Sequence, residues 1–337
     1  MITDARVLQP EFIPSEVQHR DAEVNHLSSA LDPITNGRSP DPVLLHGPSG
    51  AGKTCIAQFI VERLRETTVD VTSQYVNCWD DHTRFKTLYR ILDGIGETTT
   101  IHRQSTPTDE LLERLRNYDG PPYVVILDEV DQLDDKDLLY EPYRVRNLSM
   151  ILITNSEEDL FAALDSRLNS RLNNCVRIHF RSYHDDELVS ILQDRVTWGL
   201  EPDAIDTAGV ELIASNAAGD ARIAIGILKR AARTAANSPT DTITPNIIQE
   251  VTPAAKSDIQ QQTLDRLTPH QELLYDIVTE HGTIEPRRLY DAYCDRVDSP
   301  KSHRMVRNHL SKLEHYNLIR AEGNTKDRVY HAVTSSV

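Results

Sequence analysis

Along the first half of the chain, short strand-like runs, most of them apolar, alternate with stretches in which apolar residues recur every three or four positions. The runs at 43–45, 73–77, 123–127, 150–154 and 176–179 predict five strands, and the periodic stretches at 53–65, 83–95, 108–118 and about 157–168 predict helices between them. Thr106-Pro107 pairs a capping residue with a proline in the first turn and marks a helix start. Strands alternating with helices over residues 1–180 predict an α/β domain built on a mostly parallel sheet. Beyond His184 the strand runs stop, and ELVSILQDRV, GVELIASNAA and ARIAIGILKRAARTA keep helical spacing, which predicts a helical domain over 181–258. The polar stretch TPAAKSDIQQQT then reads as a linker or as an exposed helix end. Residues 264–337 carry three helical patterns, HQELLYDIVTEHG, EPRRLYDAYCDRV and SHRMVRNHLSKLEHYNL. Two extended runs around Gly323-Asn324 follow, the order of a winged helix with its β-hairpin.

A chain of 337 residues is too long for one core and should divide into two or three domains. No apolar run approaches the roughly 20 residues of a membrane span, and MITDARVLQPEF lacks the order of a secretory signal. A cytoplasmic protein is expected. Cys55, Cys78, Cys175 and Cys294 are far apart and form no C-x-x-C pair, so neither a disulfide framework nor a zinc knuckle is expected. The net charge is −16, which disfavours binding to nucleic-acid phosphates over most of the surface. Residues 301–328 reverse that balance, with seven basic residues against three acidic ones. Lysine is scarce, eight against twenty-eight arginines, and an acidic, lysine-poor surface suits a protein working in concentrated salt.

The loop after the first strand run carries chemistry. Gly47-Pro48-Ser49-Gly50-Ala51-Gly52-Lys53-Thr54-Cys55 fits the phosphate-binding pattern G-x-x-x-x-G-K-[ST], with a strand before it and a helix after it. Backbone N–H groups of the turn would face the phosphates of ATP or ADP, Lys53 would neutralise β/γ-phosphate charge, and the Thr54 hydroxyl would ligate Mg²⁺. The apolar run Val124-Val-Ile-Leu ends in Asp128-Glu129: Asp128 would act on the Mg²⁺ side and Glu129 would polarise the attacking water. A third run ends in Asn155, which could help position that water if its strand neighbours the other two.

These residues resemble AAA+ ATPases of the archaeal Orc1/Cdc6 initiator family over nearly the whole chain. Besides the two phosphate-site motifs, Phe12-Ile13-Pro14-Ser-Glu-Val-Gln-His19-Arg20-Asp21 looks like the segment that helps to form the family's adenine pocket. Ile151-Leu-Ile-Thr-Asn155 looks like sensor 1. Gly219-Asp220-Ala-Arg222 looks like sensor 2, from which Arg222 would reach the γ-phosphate. The segment containing Arg167 and Arg171 corresponds to the region that presents an arginine finger to a neighbouring subunit, Arg167 being the first choice. A finger acting in trans stabilises charge that develops only in the transition state, so an isolated monomer should hydrolyse ATP slowly. The stretch 95–108, where the family carries a DNA-contacting element, offers only His102 and Arg103.

At the DNA end, Val306, Leu310 and Leu313 recur at i, i+4 and i+7 and should face the core. His303, Arg304, Arg307, Asn308 and Ser311 should then face outward into a major groove, where Arg pairs with guanine and Asn with adenine, with Lys301 and Ser302 as further DNA-binding candidates, while Lys326 and Arg328 at the hairpin meet phosphate or minor groove. The resemblance implies an ATP-dependent initiator that recognises duplex origin DNA, assists loading of the replicative helicase, and works with other copies or paralogues of itself. Two other functions stay open: a DNA-bound regulator of the same fold, and a protein-remodelling ATPase, for which no aromatic pore-loop motif stands out.

Overall fold

The computed structural model describes residues 1–68, 70–238, 242–323 and 328–333. Contacts divide the chain into two units, Glu11–Ser190 and Met1–Pro10 with Ile191–Val337.

The first unit is built on five parallel strands, β1 (Val43–His46), β2 (Thr72–Asn77), β3 (Tyr123–Asp128), β4 (Leu148–Thr154) and β5 (Val176–His179), in the order β2-β3-β4-β1-β5. Every residue of β3 and β4 is buried, as strands covered on both faces require. Successive side chains point to opposite faces. Val43, Leu45, Val124, Ile126, Ile151 and Ile153 pack with Leu27 and Leu31 of α1 (Asp21–Leu31) and with Ile56, Phe59 and Ile60 of α2 (Lys53–Thr67). Leu44, Val125, Leu127 and Leu152 pack on the other face with α3 (Arg84–Asp93) and α4 (Thr108–Arg116). β4 lies between β3 and β1, so the carboxyl ends of the strands that carry Asp128 and Asn155 adjoin the loop after β1, where ligands of such sheets bind.

Two local expectations change. Helix α4 begins at Thr108, with Pro107 in the capping position, because the Thr106 hydroxyl accepts a hydrogen bond from the His102 N–H at 2.9 Å instead of capping the helix. The helix expected over 157–168 is two. α5 (Tyr140–Arg144) precedes β4, and after it α6 (Glu157–Ala163) stops before Asp165, whose carboxylate accepts from the Leu168 N–H at 2.7 Å and starts α7 (Ser166–Leu172).

The chain passes into the second unit along α8 (Asp185–Gly199), followed by α9 (Thr207–Ala217), α10 (Ala221–Ala235) and α11 (Pro245–Leu264). Of the two readings of TPAAKSDIQQQT, the helix prevails: α11 runs through it despite the internal Pro253. Pro253 removes the donor to the carbonyl of Gln249, an exposed residue, while Val251, Thr252 and Ala255 are buried and hold the helix together. The first ten residues, expected with the α/β domain, belong to this helical unit. Val7 and Leu8 are buried, Arg195 donates to the Val7 carbonyl at 2.6 Å, and the Met1 ammonium pairs with Glu201 at 2.7 Å.

The C-terminal segment contains α12 (Pro269–His281), β6 (Thr283–Ile284), α13 (Pro286–Cys294), α14 (His303–His315), β7 (Ile319–Glu322) and β8 (Val329–Ala332). The sheet order is β6-β8-β7, antiparallel throughout. Three helices with a small antiparallel sheet follow the order expected of a winged helix. Val306, Leu310 and Leu313 of α14 are 3%, 2% and 0% exposed. Each buried side chain of this size stabilises by roughly 1.5–3 kcal/mol, which fixes the face α14 turns inward. The two-residue strand β6 is an addition to the expected hairpin. Among the described residues, no helix is long and apolar enough to cross a membrane.

Candidate nucleotide site and C-terminal basic face

The loop between β1 and α2 wraps around its own glycines. At Gly47, φ is +140° and a Cβ would stand 1.9 Å from the Phe180 carbonyl oxygen, so no other residue fits. Gly52 has φ +90°, and a Cβ there would stand 2.4 Å from the Tyr183 hydroxyl. Gly52 also caps α2 without a side chain, which leaves the first N–H groups of a fifteen-residue helix for an anion. Pro48, Ser49, Gly50 and Ala51 complete the turn, and Cys55 lies half-buried in the first turn of α2.

Lys53 is 6% exposed, and its ammonium donates to the carbonyls of Gly47 at 2.7 Å and Pro48 at 2.8 Å and to Asn155 Oδ1 at 3.0 Å. The structure therefore brings Lys53 and Asn155 together, although 102 positions separate them. Thr54 Oγ1 donates to Asp128 Oδ2 at 2.7 Å, and the Glu129 N–H donates to Asp128 Oδ1 at 2.9 Å. Burial raises the Asp128 pKa, an effect opposed by the hydroxyls of Thr54 and Tyr75 and by the Lys53 charge. Glu129 sits in the left-handed region at φ +53°, uncommon for a residue with a side chain, at the sharp turn that ends β3. Thr154, the last residue of β4, donates to Asp131 Oδ1 at 3.0 Å and ties the Asn155 turn to the loop after Glu129.

Tyr75 was not legible as a site residue. Its hydroxyl donates to Asp128 Oδ2 at 2.9 Å, and burial followed by the Asp128 charge raises its pKa, so the phenol keeps its proton. The signal in the sequence is a tyrosine two positions before the end of a mostly polar strand, which is an ordinary strand pattern.

The N-terminal segment divides. Ile13 is exposed and Pro14 half-buried. His19 has φ +58° and borders a cavity of about 500 Å³, also lined by His26, Arg177 and His179. Arg20, in the segment expected to help form an adenine pocket, is buried against the phosphate loop. It is 1% exposed and donates to the carbonyls of Ala51 at 3.1 Å and Arg181 at 2.6 Å and to Glu23 at 2.7 Å, with its guanidinium 4.1 Å from the Tyr183 ring centre. All of that holds the phosphate loop from behind.

Arg167 is 71% exposed and pairs with Asp165 at 3.0 Å. Arg171 donates to the Tyr140 hydroxyl at 3.3 Å and lies over that ring. Arg103 lies over the Tyr89 ring, 4.6 Å from its centre. In the helical unit, Arg222 is the second residue of α10, and its guanidinium lies 3.3 Å from Asp220, the residue that caps the helix.

On the C-terminal domain, Arg304, Arg307 and Asn308 are exposed along α14. His303 stacks on Tyr290 with ring centres 3.5 Å apart. Two residues expected to contact DNA also make contacts within the domain: the Ser302 hydroxyl accepts from the Met305 N–H at 3.4 Å and caps α14, and Arg328 donates to Glu314 at 3.2 Å. The side chain of Lys301 is exposed while its N–H donates to the Tyr293 hydroxyl at 3.1 Å. Lys326 lies outside the described residues.

A phosphate loop between β1 and α2, a strand ending in Asp128-Glu129 and a neighbouring strand ending at Asn155 define a nucleotide-binding AAA domain, and residues 16–141 match the AAA ATPase domain family. Residues 189–252 match the Cdc6 AAA+ ATPase-type lid domain. The chain belongs to the Orc1/Cdc6 family of DNA replication proteins: it is 67% identical over 308 residues to ORC1-type DNA replication protein 1 of Halobacterium salinarum, covering 91% of this chain and all of that one. ORC1-type DNA replication protein 9 of the same halophilic archaeon is 52% identical, covering 100% of this chain and 95% of the relative. Among solved structures, the Aeropyrum pernix ORC1 protein in complex with DNA shares the fold, with a TM-score of 0.73 at 24% identity over 100% of this chain and 94% of that one. The Aeropyrum pernix ORC2 protein, solved as ADPNP-ADP complexes, has a TM-score of 0.66 at 22% identity over 98% and 94%.

Proposed function

We propose that the protein is an ATP-dependent replication initiator that recognises origin DNA through α14 and uses ATP hydrolysis as a switch. The observation that carries the nucleotide half is the join of Thr54 to Asp128 at 2.7 Å at the head of α2, with the Lys53 ammonium beside it. Two oxygen donors next to a helix N-terminus suit a hard divalent cation with an anionic ligand, so Thr54 and Asp128 would hold Mg²⁺. When bound, Mg²⁺ supplies charge neutralisation at the phosphates. Lys53 would leave the Gly47 and Pro48 carbonyls for the β/γ-phosphates, Glu129 would polarise the attacking water and Asn155 would position it. Arg222 would report the γ-phosphate from the helical domain, and Arg167 or Arg171 would complete the site of a neighbouring copy or paralogue.

For the DNA half, the inward face of α14 is fixed by Val306, Leu310 and Leu313, which leaves Arg304, Arg307 and Asn308 on the outward one. Those side chains suit base edges in a major groove. The 67% identity to an ORC1-type DNA replication protein supports a role in DNA replication, in which origin DNA would be the partner and helicase loading the consequence. Mapping of chromatin occupancy tests the reading: peaks at replication start sites are expected, whereas peaks confined to promoters would make the protein a regulator.

A further inference from the structure

The buried carboxylate of Asp128 is held by more than the two phosphate-site motifs. Tyr75 stands on the edge strand β2, two residues before Asn77, which pairs with Asp128 in register. Its ring packs against the core shared by the sheet and α2, and its hydroxyl reaches Asp128 Oδ2 at 2.9 Å. That oxygen also accepts from Thr54 at 2.7 Å, while Oδ1 accepts from the Glu129 N–H at 2.9 Å. A carboxylate offers about four acceptor positions, so Oδ2 is filled and the position left open is on Oδ1. Rotation of the carboxylate about Cβ–Cγ would break both hydroxyl contacts inside a site where Asp128 is only 5% exposed.

We propose that Tyr75 is a positioning residue for the divalent-cation part of the nucleotide site. Together with the Thr54 hydroxyl, its phenol fixes the plane of the Asp128 carboxylate, so that the acceptor position left open, on the oxygen that takes the Glu129 N–H, would serve the cation part of the site. The inference rests on the nucleotide reading above and adds to it a residue from outside both motifs. Removing the hydroxyl alone leaves the ring packing intact but lets the carboxylate turn, which loosens cation binding without touching the loop that holds the phosphates.

The test compares the full chain with Tyr75→Phe using ADP and Mn²⁺, the latter followed by the electron-paramagnetic signal of the free ion. Affinity for ADP in EDTA should stay within about twofold of the parent, while affinity of the ADP-loaded protein for Mn²⁺ should fall roughly tenfold. Equal Mn²⁺ affinity in the two proteins would overturn the proposal, as would a parallel loss of metal-free ADP binding, which would mean general loosening of the site. A parent chain that binds no ADP, or binds it without regard to Mn²⁺, would instead defeat the nucleotide reading itself.

Discussion

Replacing Arg20 by alanine separates support of the phosphate loop from contact with the nucleotide. The guanidinium is 1% exposed and satisfies two backbone carbonyls, Ala51 and Arg181, as well as the Glu23 carboxylate, whose side chain is 16% exposed. Alanine would leave all three acceptors without that donor and remove the contact with Tyr183. Breaking a buried ion pair by removing one partner costs about 3–5 kcal/mol, and the lost carbonyl contacts overlap with that figure rather than add to it. For a unit of this size each kcal/mol shifts the melting temperature by 2–4 °C, so the Glu11–Ser190 unit should melt roughly 6–20 °C lower. Arg20→Lys keeps the charge but not the planar fork that serves two carbonyls at once, and should recover only part of the loss. Calorimetry without nucleotide measures the shift directly. If Arg20→Ala melts with the parent yet binds ADP more weakly, the arginine contacts nucleotide and the supporting role is refuted.

Two further outcomes follow from the same kind of geometry. Arg181, which holds Glu187 through contacts of 2.6 and 2.8 Å, and the His184 N–H together bring the pKa of that carboxylate down to about 2 from its ordinary 4.5. A depressed carboxylate stabilises fully above its unfolded value and loses that contribution as pH falls from 4.5 toward 2, so Glu187→Gln should flatten the acid limb of a stability–pH curve in that window. At the other end of the chain, replacing Arg304 and Arg307 together by alanine should abolish preference for a cognate duplex; an unchanged footprint would show that α14 does not read the site.

Much of the architecture was legible because burial leaves a local trace. β3 and β4 are covered on both faces and read as continuous apolar runs, and α14 shows its buried stripe at Val306, Leu310 and Leu313. The phosphate loop was legible because its glycines answer to steric demands that no other residue meets, as at Gly47. What escaped depends on contacts far along the chain. The first ten residues join the helical unit through Arg195, 188 positions away from Val7, and nothing in MITDARVLQP announces that partner. The pairing of Tyr75 with Asp128 spans 53 positions, and the carbonyls that hold Arg20 lie 31 and 161 positions away. Short-range punctuation gives way where one cap outweighs periodicity, as at Asp165, and at Pro253 packing decides between the two open readings in favour of the helix.

The central claim, site-specific binding at origins through α14, meets its most direct test in chromatin immunoprecipitation with sequencing, run on cells carrying the parent chain or the Arg304→Ala, Arg307→Ala double variant. The account predicts parent peaks centred on replication start sites that disappear in the double variant. Peaks that persist in the variant, or that lie at promoters away from any start site, would contradict it.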